Sequence, residues 1–177
     1  PFSGELMANS SELSANTRFF VVDDAPTSRE LMVQNLKTLG FRHITEGFSE
    51  GESLAILEEK EFDLIICQKN MRQMSGFEFL SEIRENMAIK STPFLLMGEG
   101  FPKEDQTQFL EAIPDELLKT PFLLKEITLK LSQTLKKFYE KDNIEYIYEQ
   151  ARLLYVHGDY TASIEIYRAL ILKYPSS

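Results

Sequence analysis

The sequence predicts an α/β fold, a five-stranded, doubly wound parallel sheet followed by a helical hairpin. Short apolar runs rich in branched and aromatic residues alternate with segments that carry leucines at helical spacing, as in parallel strands joined by helices. From Ile144 onwards the spacing becomes helical only. We therefore expect an α/β domain over 18–140 and a hairpin over 141–177. The polar start, 1–17, is expected to be disordered, with PFSGEL as an expression remnant.

The first half of the α/β pattern contains two strands and two helix starts. RFFVVDD is an apolar run that ends in two acids, and HITEGF is a weaker second strand. TSRE, which begins at Thr27, and SEGE, which begins at Ser49, have the spacing of capping boxes. Each predicts that a helix begins there, and Gly40 ends the first of these helices.

The second half contains three strands and three helices. The most buried strand is predicted over 62–67, with TPFLLMG and ELLK as the fourth and fifth strands. Phe77, Leu80 and Ile83 mark the helix after the third strand. PKEDQTQFLEAI predicts a short helix that ends before Pro114, and leucines at helical spacing up to Phe138 predict a long final one.

Polar or small residues follow four of these strands at the point where each strand ends. They are Asp23, Asp24, Gln68, Gly98 and Lys119. Because the carboxyl ends of parallel strands meet at one edge of the sheet, we expect these residues to lie together in a ligand site.

The same residues give the α/β domain a resemblance to a known family. The acid pair, the loop NMRQMSG and the late sequence KTPF occur in the order and at the distances found in receiver domains of two-component response regulators. The chain resembles that family from Arg18 to about Tyr139. The resemblance implies a flavodoxin-like receiver fold and a role in phosphorelay signalling.

In the resembled family, the two acids after the first strand bind Mg²⁺, and an aspartate after the third strand accepts a phosphoryl group. A lysine after the fifth strand balances the charge. Asp23 and Asp24 match the acid pair and Lys119 matches the lysine, but Gln68 stands at the phosphoacceptor position. The site should therefore be a remnant.

Three further positions depart from the family pattern. Gly98 stands where the family has a hydroxyl residue, and Glu116 where it has an aromatic rotamer switch. Arg72 replaces the proline that follows the methionine of the third-strand loop. The implied switch is therefore expected to be lost.

The chemistry of Gln68 decides the functional prediction. Phosphoryl transfer to a protein needs an ionised carboxylate, and a carboxamide is a weak nucleophile. We expect no catalytic residue and no required cofactor, and we expect Lys119 to pair with Asp23 or Asp24. Because Mg²⁺ is commonly held by only one or two carboxylates, weak binding at Asp23 and Asp24 stays open.

The last part of the chain resembles a different family. ARLLYVHGDYTASIEIYRALILKYP has the spacing of a tetratricopeptide repeat. One such unit cannot bury both its faces, so we expect a truncated array in which Tyr160 and Tyr167 contribute to the core first and to protein binding second.

Other reactive side chains receive structural interpretations. Cys67 lies within an apolar strand and is expected to be a buried, inert thiol. Asp63 stands at the opposite end of the third strand and is expected to serve a turn. Neither His43 nor His157 has neighbours in the sequence that would form a metal or catalytic set.

The sequence therefore predicts a non-phosphorylatable adaptor or scaffold that binds signalling proteins through the receiver face or the repeat groove. The alternative is a response regulator that transfers phosphoryl groups, or binds phosphate or Mg²⁺, through the residual site of Asp23, Asp24 and Lys119. With 28 acidic and 19 basic side chains the net charge is -9, which opposes binding to nucleic acid or an anionic membrane. We expect a cytoplasmic protein that is not an enzyme, with a homodimer left open.

Overall fold

The structure is a computed structural model that describes residues 13–86, 89–90, 92–101, 113–139, 151–152 and 154–173. The chain divides into two compact units, Pro1–Lys136 and Lys137–Ser177. Within the described ranges, no helix combines the length and apolarity needed to cross a membrane. Of the predicted N-terminal stretch, only 13–17 falls within the description, and Thr17 donates its main-chain N–H to Ser14 at 3.0 Å.

The first unit is built on a parallel sheet of five strands in the order β2-β1-β3-β4-β5. The strands are β1 Arg18–Val22, β2 His43–Gly47, β3 Leu64–Gln68, β4 Phe94–Gly98 and β5 Glu116–Lys119. This confirms the predicted five-stranded sheet. The chain reverses its direction of winding between β1 and β3, and such a switch point opens a crevice at the carboxyl ends of the strands.

Helices cover both faces of the sheet. They are α1 Pro26–Thr38, α2 Glu50–Glu59, α3 Gly76–Glu85 and α4 Leu124–Tyr139. One core cluster joins the sheet to α1 and α4 through buried residues such as Phe19, Leu36 and Leu131. The other joins it to α2 and α3 through residues such as Phe20, Leu57 and Phe79. The sheet is therefore doubly wound, as predicted.

Of the two predicted capping boxes, one lies at a true helix start, and neither makes the predicted capping hydrogen bond. The capping box at Thr27 is wrong, because α1 already begins at Pro26 after Ala25, with no side-chain cap. Proline suits a first helical position, since the N–H that it lacks would have no partner there. Ser49 does precede α2, but without a capping hydrogen bond. A complete capping box occurs instead at Ser75, before α3.

The predicted short helix PKEDQTQFLEAI lies mostly outside the described residues. The long final helix is confirmed as α4, where Ile127, Leu131 and Leu135 are buried.

The second unit contains a helical stretch at 151–152 and 154–156, a turn, and α5 Tyr160–Lys173. Gly158 adopts φ +88° in the turn, a backbone conformation that residues other than glycine rarely adopt. Asp159 then caps α5 by accepting a hydrogen bond from Ala162 N at 3.0 Å. Buried Ser163 donates its hydroxyl to Ala151 O at 2.7 Å and so links the two helical stretches.

Several large apolar side chains of α5 are exposed. Tyr160 is 55% exposed, and Ile164 and Ile171 are also exposed. The prediction that Tyr160 is a core residue first is therefore wrong for this unit, whereas Ala151 and Leu154 are buried. Ile144 and Ile147 lie outside the described residues.

Candidate functional site

The carboxyl ends of the strands bring the predicted site residues together. Val22 pairs with Cys67 across β1 and β3, so Asp23 and Gln68 follow at the same level of the sheet. Gln68 pairs with Met97, and Gly98 pairs with Lys119 on β5. Four strand ends therefore form one edge.

Asp23 is completely buried at this edge. Its Oδ1 accepts a hydrogen bond from Ala25 N at 2.8 Å, and its main-chain O accepts one from Arg29 Nη1 at 2.6 Å. Within the described part of the chain, Asp23 Oδ2 is buried without a hydrogen-bond partner. Because buried polar groups are costly without partners, the hydrogen bonds to Asp23 Oδ1 and to its main-chain O stabilise this loop.

Arg29 lies on α1 and contacts three elements. Besides the Asp23 carbonyl, it donates Nε to Glu46 Oε2 of β2 at 2.9 Å. Its guanidinium lies 4.2 Å from the centre of the Phe48 ring, a cation–π distance. The buried arginine therefore joins α1, the end of β1 and the loop after β2.

Asp24 is held by the loop that follows β3. Its Oδ2 accepts a hydrogen bond from the main-chain N–H of Arg72 at 2.7 Å. The guanidinium of Arg72 is more distant, with Nε 3.9 Å from the same oxygen, and the side chain is 87% exposed. The main chain rather than the charged group makes the close contact.

Gln68 turns its amide oxygen back onto its own loop. Oε1 accepts a hydrogen bond from Lys69 N at 2.9 Å, and the same N–H also reaches Met97 O at 2.7 Å. The predicted neutral group at the end of β3 is therefore in place, and its oxygen satisfies a loop amide.

Lys69 lies across the end of β4. A Cβ placed on Gly98 would lie 3.0 Å from Lys69 Cβ and 3.6 Å from Lys69 Cδ. Lys69 itself is only 9% exposed, and its Nζ donates to Gly100 O at 2.6 Å and lies 5.4 Å from the Phe101 ring. The lysine stem thus fills the space beside Gly98.

The other two predicted positions lie on β5. Lys119 is exposed and, in the described ranges, its side chain makes no ion pair, so the expected pair with Asp23 or Asp24 does not form. Glu116 is buried, and its Oε1 accepts a hydrogen bond from Lys130 Nζ at 3.1 Å. Glu116, which stands where the family has an aromatic switch, is therefore tied to α4.

Two of the polar side chains that would face a bound Mg²⁺ at this edge already accept hydrogen bonds from loop amides. Asp24 Oδ2 accepts from Arg72 N and Gln68 Oε1 from Lys69 N, whereas Asp23 Oδ2 is buried without a hydrogen-bond partner among the described residues. Among all residues that the structure describes, no three acidic, histidine or cysteine side chains converge on a metal position. Mg²⁺ demands near-octahedral oxygen geometry.

A small cleft opens beside Asp24, between the loops after β2 and β3. Its volume is about 220 Å³. It is lined by Asp24, Phe48, Ser49, Glu50 and residues 71–74. Apolar Phe48, Met71 and Met74 give it adaptable walls next to the acids.

The comparison with known families decides what this fold is. The model of the response regulator receiver domain family matches residues 19–132. The chain belongs to the response regulator receiver family. The resemblance seen in the acid pair and the third-strand loop is thereby confirmed, and the domain is of the kind used in two-component and chemotaxis-type signalling.

Curated relatives of this receiver include chemotaxis proteins. It is 26% identical over 125 residues to chemotaxis protein CheY-3 of Vibrio cholerae, covering 71% of this chain and 96% of that protein. It is 32% identical over 115 residues to a probable chemotaxis protein CheY of Rhizobium etli, covering 65% of this chain and 89% of the relative.

Solved receivers have the same fold. Vibrio cholerae CheY4 superposes with a TM-score of 0.62 at 25% identity, covering 67% of this chain and 98% of that structure. The receiver domain of a Pseudomonas aeruginosa sensor histidine kinase, which has a magnesium ion in its active-site cleft, gives a TM-score of 0.62 at 20% identity. The match covers 68% of this chain and 98% of that receiver domain, and it supports the fold alone.

Sequence reasoning missed two residues of this receiver site, Lys69 and Arg29. Lysine and arginine are rarely buried, so neither residue type signals burial by itself. The one sequence signal for Lys69 is the glycine at 98, which leaves room for a neighbour. With Lys69 included, two carboxylates and two lysines stand at the strand ends and their charges cancel formally.

Three other predictions concern Cys67, Asp63 and the two histidines. Cys67 is buried, and burial together with the charge of Asp23 raises the pKa of its thiol well above the usual value, which agrees with an inert thiol. Asp63 lies at the amino end of β3, where it accepts hydrogen bonds from Arg18 N at 2.7 Å and Nη2 at 2.9 Å. Neither described histidine lies in a metal-ligating group.

Proposed function

We propose that this chain is a non-phosphorylatable receiver that acts as an adaptor or scaffold in a two-component type pathway. The observation that carries the proposal is Gln68 at the end of β3. Its amide oxygen is bonded to Lys69 N, and an amide cannot form the acyl phosphate that an aspartate forms. The domain would then act by binding partners rather than by catalysis, so we propose that it is not an enzyme.

The end of β4 supports the same proposal. In the family a hydroxyl residue at this position contacts the phosphoryl group, whereas Gly98 has no side chain and Lys69 fills the adjacent space. A ligand shifts a conformational equilibrium only through contacts that differ between states. Here both the phosphoryl acceptor and the hydroxyl contact are missing.

The second unit supports a role in protein binding. The repeat-like spacing of its sequence and the exposed Tyr155, Tyr160 and Ile164 are consistent with a tetratricopeptide-type groove for a partner protein. We propose signalling proteins as partners, bound in the cytoplasm through the receiver face or this groove. A homodimer is an outcome that a solution mass measurement would detect.

The test is incubation of the full chain with acetyl phosphate and Mg²⁺, followed by intact mass measurement. We expect no phosphoryl adduct. A receiver that carries aspartate at the matching position, treated in parallel, verifies that the donor is active. An adduct that maps to the loops after β1 or β3 would refute the proposal.

The alternative is a metal- and phosphate-binding receiver that uses Asp23, Asp24 and Lys119. The buried, unpartnered Asp23 Oδ2 is the observation in its favour, because such an oxygen suits a cation. A calorimetric titration with Mg²⁺ separates the two functions. Heat of binding that disappears in Asp24→Asn would favour the alternative.

A further inference from the structure

The contact between Arg72 and Asp24 depends on a substitution in the loop after β3. The receiver family has proline at this position, and proline has no main-chain N–H. In this chain Arg72 supplies an N–H, which donates to Asp24 Oδ2 at 2.7 Å. The replacement of proline therefore creates a hydrogen-bond donor at one of the two acids that the family uses for metal.

The chemistry of this contact sets it against a metal ion. A hydrogen bond from an N–H to a carboxylate is charge-assisted and roughly twice as strong as one between neutral groups. A cation at Asp24 Oδ2 would compete with this donor for the negative charge of that oxygen. At Gln68, the matching oxygen is occupied in the same way by Lys69 N at 2.9 Å.

We propose that the main-chain N–H of Arg72 competes with a divalent cation for Asp24 Oδ2 and lowers the affinity of this acid site for metal. The inference rests on the proposed function, because a receiver that never forms an acyl phosphate has no need for Mg²⁺ at this edge. Arg72 is thus a positioning residue that acts through its main chain.

The same bond links two loops. Asp24 belongs to the loop after β1, and Arg72 to the loop after β3. Both line the cleft of about 220 Å³ next to Phe48, Met71 and Met74. A metal-independent link keeps this cleft in one shape at any Mg²⁺ concentration, which suits a surface for constitutive binding.

A matched pair of variants separates the main chain from the side chain. Arg72→Pro removes the N–H and the guanidinium, whereas Arg72→Ala removes only the guanidinium. The backbone accommodates proline at this position in the family. Each full-length variant is titrated with Mg²⁺ alone, and binding is followed by calorimetry and by NMR shifts of the amides of Asp23 and Gln68.

We expect Arg72→Pro to bind Mg²⁺ about tenfold more tightly than the unmodified chain, from the strength of a hydrogen bond to a charged group. Arg72→Ala should stay within about twofold of the unmodified chain, since its donor is intact. Equal affinities in all three proteins would overturn the proposal. So would an equal gain in both variants, because the guanidinium would then be the competitor.

A second measurement needs no variant at Arg72. In the unmodified chain the Arg72 amide should be protected from hydrogen exchange in Mg²⁺-free buffer, and Asp24→Ala should remove that protection, with Glu50→Ala as the control that leaves it. An Arg72 amide that exchanges at the same rate with and without Asp24 would contradict the inference. These results are independent of the phosphodonor experiment, so a phosphoryl adduct would refute the proposed function without deciding this contact.

Discussion

At the end of β4, a Cβ on Gly98 would lie 3.0 Å from Lys69 Cβ, so an added side chain would force Lys69 to move by a few tenths of an ångström. The Lys69 main chain cannot easily move away, because its N–H donates to Met97 O at 2.7 Å and its O accepts from Gly76 N at 2.7 Å. Glycine is needed at 98 because the neighbouring backbone is fixed on both sides.

Gly98→Ala should therefore lower the free energy of unfolding by about 1–3 kcal/mol, the usual range for overpacking. The clash involves Lys69 Cβ, at 3.0 Å. The loss should thus persist in a Lys69→Ala background, which keeps Cβ, and shrink by about 1 kcal/mol in a Lys69→Gly background. Urea denaturation of the double-mutant cycles measures this, and identical losses in all three backgrounds would contradict the packing argument.

The pair Arg18–Asp63 makes stability depend on pH at the opposite edge of the sheet. Partial burial raises the pKa of Asp63, but hydrogen bonds and charge from Arg18 outweigh this effect and hold it below the usual value. A lowered pKa means stabilisation that is present above the ordinary Asp value of about 3.9 and is lost as the pH falls through the lowered pKa.

We therefore expect the free-energy difference between the unmodified chain and Asp63→Asn to be greatest near pH 6 and to shrink towards about pH 2. Urea denaturation at several pH values checks this. Glu61→Gln is the control. Glu61 also pairs with Arg18, but its side chain is 89% exposed and its nearest oxygen lies 3.4 Å away, so this pair should contribute little. A difference that does not change with pH would show that charge is not the cause.

The sequence located some residues of the site and not others for a physical reason. Asp23, Asp24 and Gln68 were predictable, because the carboxyl ends of parallel strands converge and these residues directly follow apolar runs. The contribution of Arg72 was not, because it comes from a main-chain N–H, which every residue except proline carries. Lys69 was missed because its burial depends on a glycine from another strand.

Among the elements, α3 is tied to the start of β4 and β5 by one arginine. Arg84 donates to Thr92 O at 2.7 Å and to Asp115 Oδ2 at 3.0 Å. Asp115 is buried, and the same oxygen accepts the Phe94 N–H at 2.7 Å. The carboxylate thus joins the ends of three elements away from the candidate site.

Asp115→Ala should lower the free energy of unfolding by about 3–5 kcal/mol, because it leaves partly buried Arg84 without this carboxylate. Asp115→Asn keeps an acceptor for Phe94 N and should cost less. Thermal and urea unfolding measure both. Glu61→Gln, which breaks the exposed pair with Arg18, is the comparison. If it lowers the free energy of unfolding as much as Asp115→Ala does, burial is not what makes the Arg84–Asp115 contact strong.

The existence of the elements was easier to predict than their ends. Five apolar runs were enough to identify five strands, since buried parallel strands are near-continuous in apolar residues. The start of α1 was placed too late because a weak capping pattern at Thr27 was preferred over Pro26. The strand β3 extends to Gln68 because the ladder with Met97 continues past the last apolar residue.

For the whole molecule, charge restricts the class of partner. The net charge is -9. The basic residues Arg18, Arg42 and Lys60 lie together near the amino ends of the strands, but Arg18 is already paired with two acids.

The order of the strands in the sheet could not be predicted from local periodicity, because crossovers between distant segments determine it.

We expect the full chain not to retard duplex DNA at an ionic strength of about 0.15 M, since phosphate contacts dominate such binding and are screened by salt. A gel-shift titration measures this, with a basic DNA-binding protein as the positive control. Retardation that weakens steeply with salt and disappears in Arg42→Glu would reveal a basic site that outweighs the net charge.

The amide of Gln68 has a consequence for timing if the proposed function holds. In a receiver that forms an acyl phosphate, the hydrolysis rate of that bond sets how long the signal lasts after the stimulus ends. A domain with an amide at this position forms no such bond. Its output would follow the abundance and residence time of its partners alone, so the cell would end the signal by dilution or degradation of a protein rather than by hydrolysis.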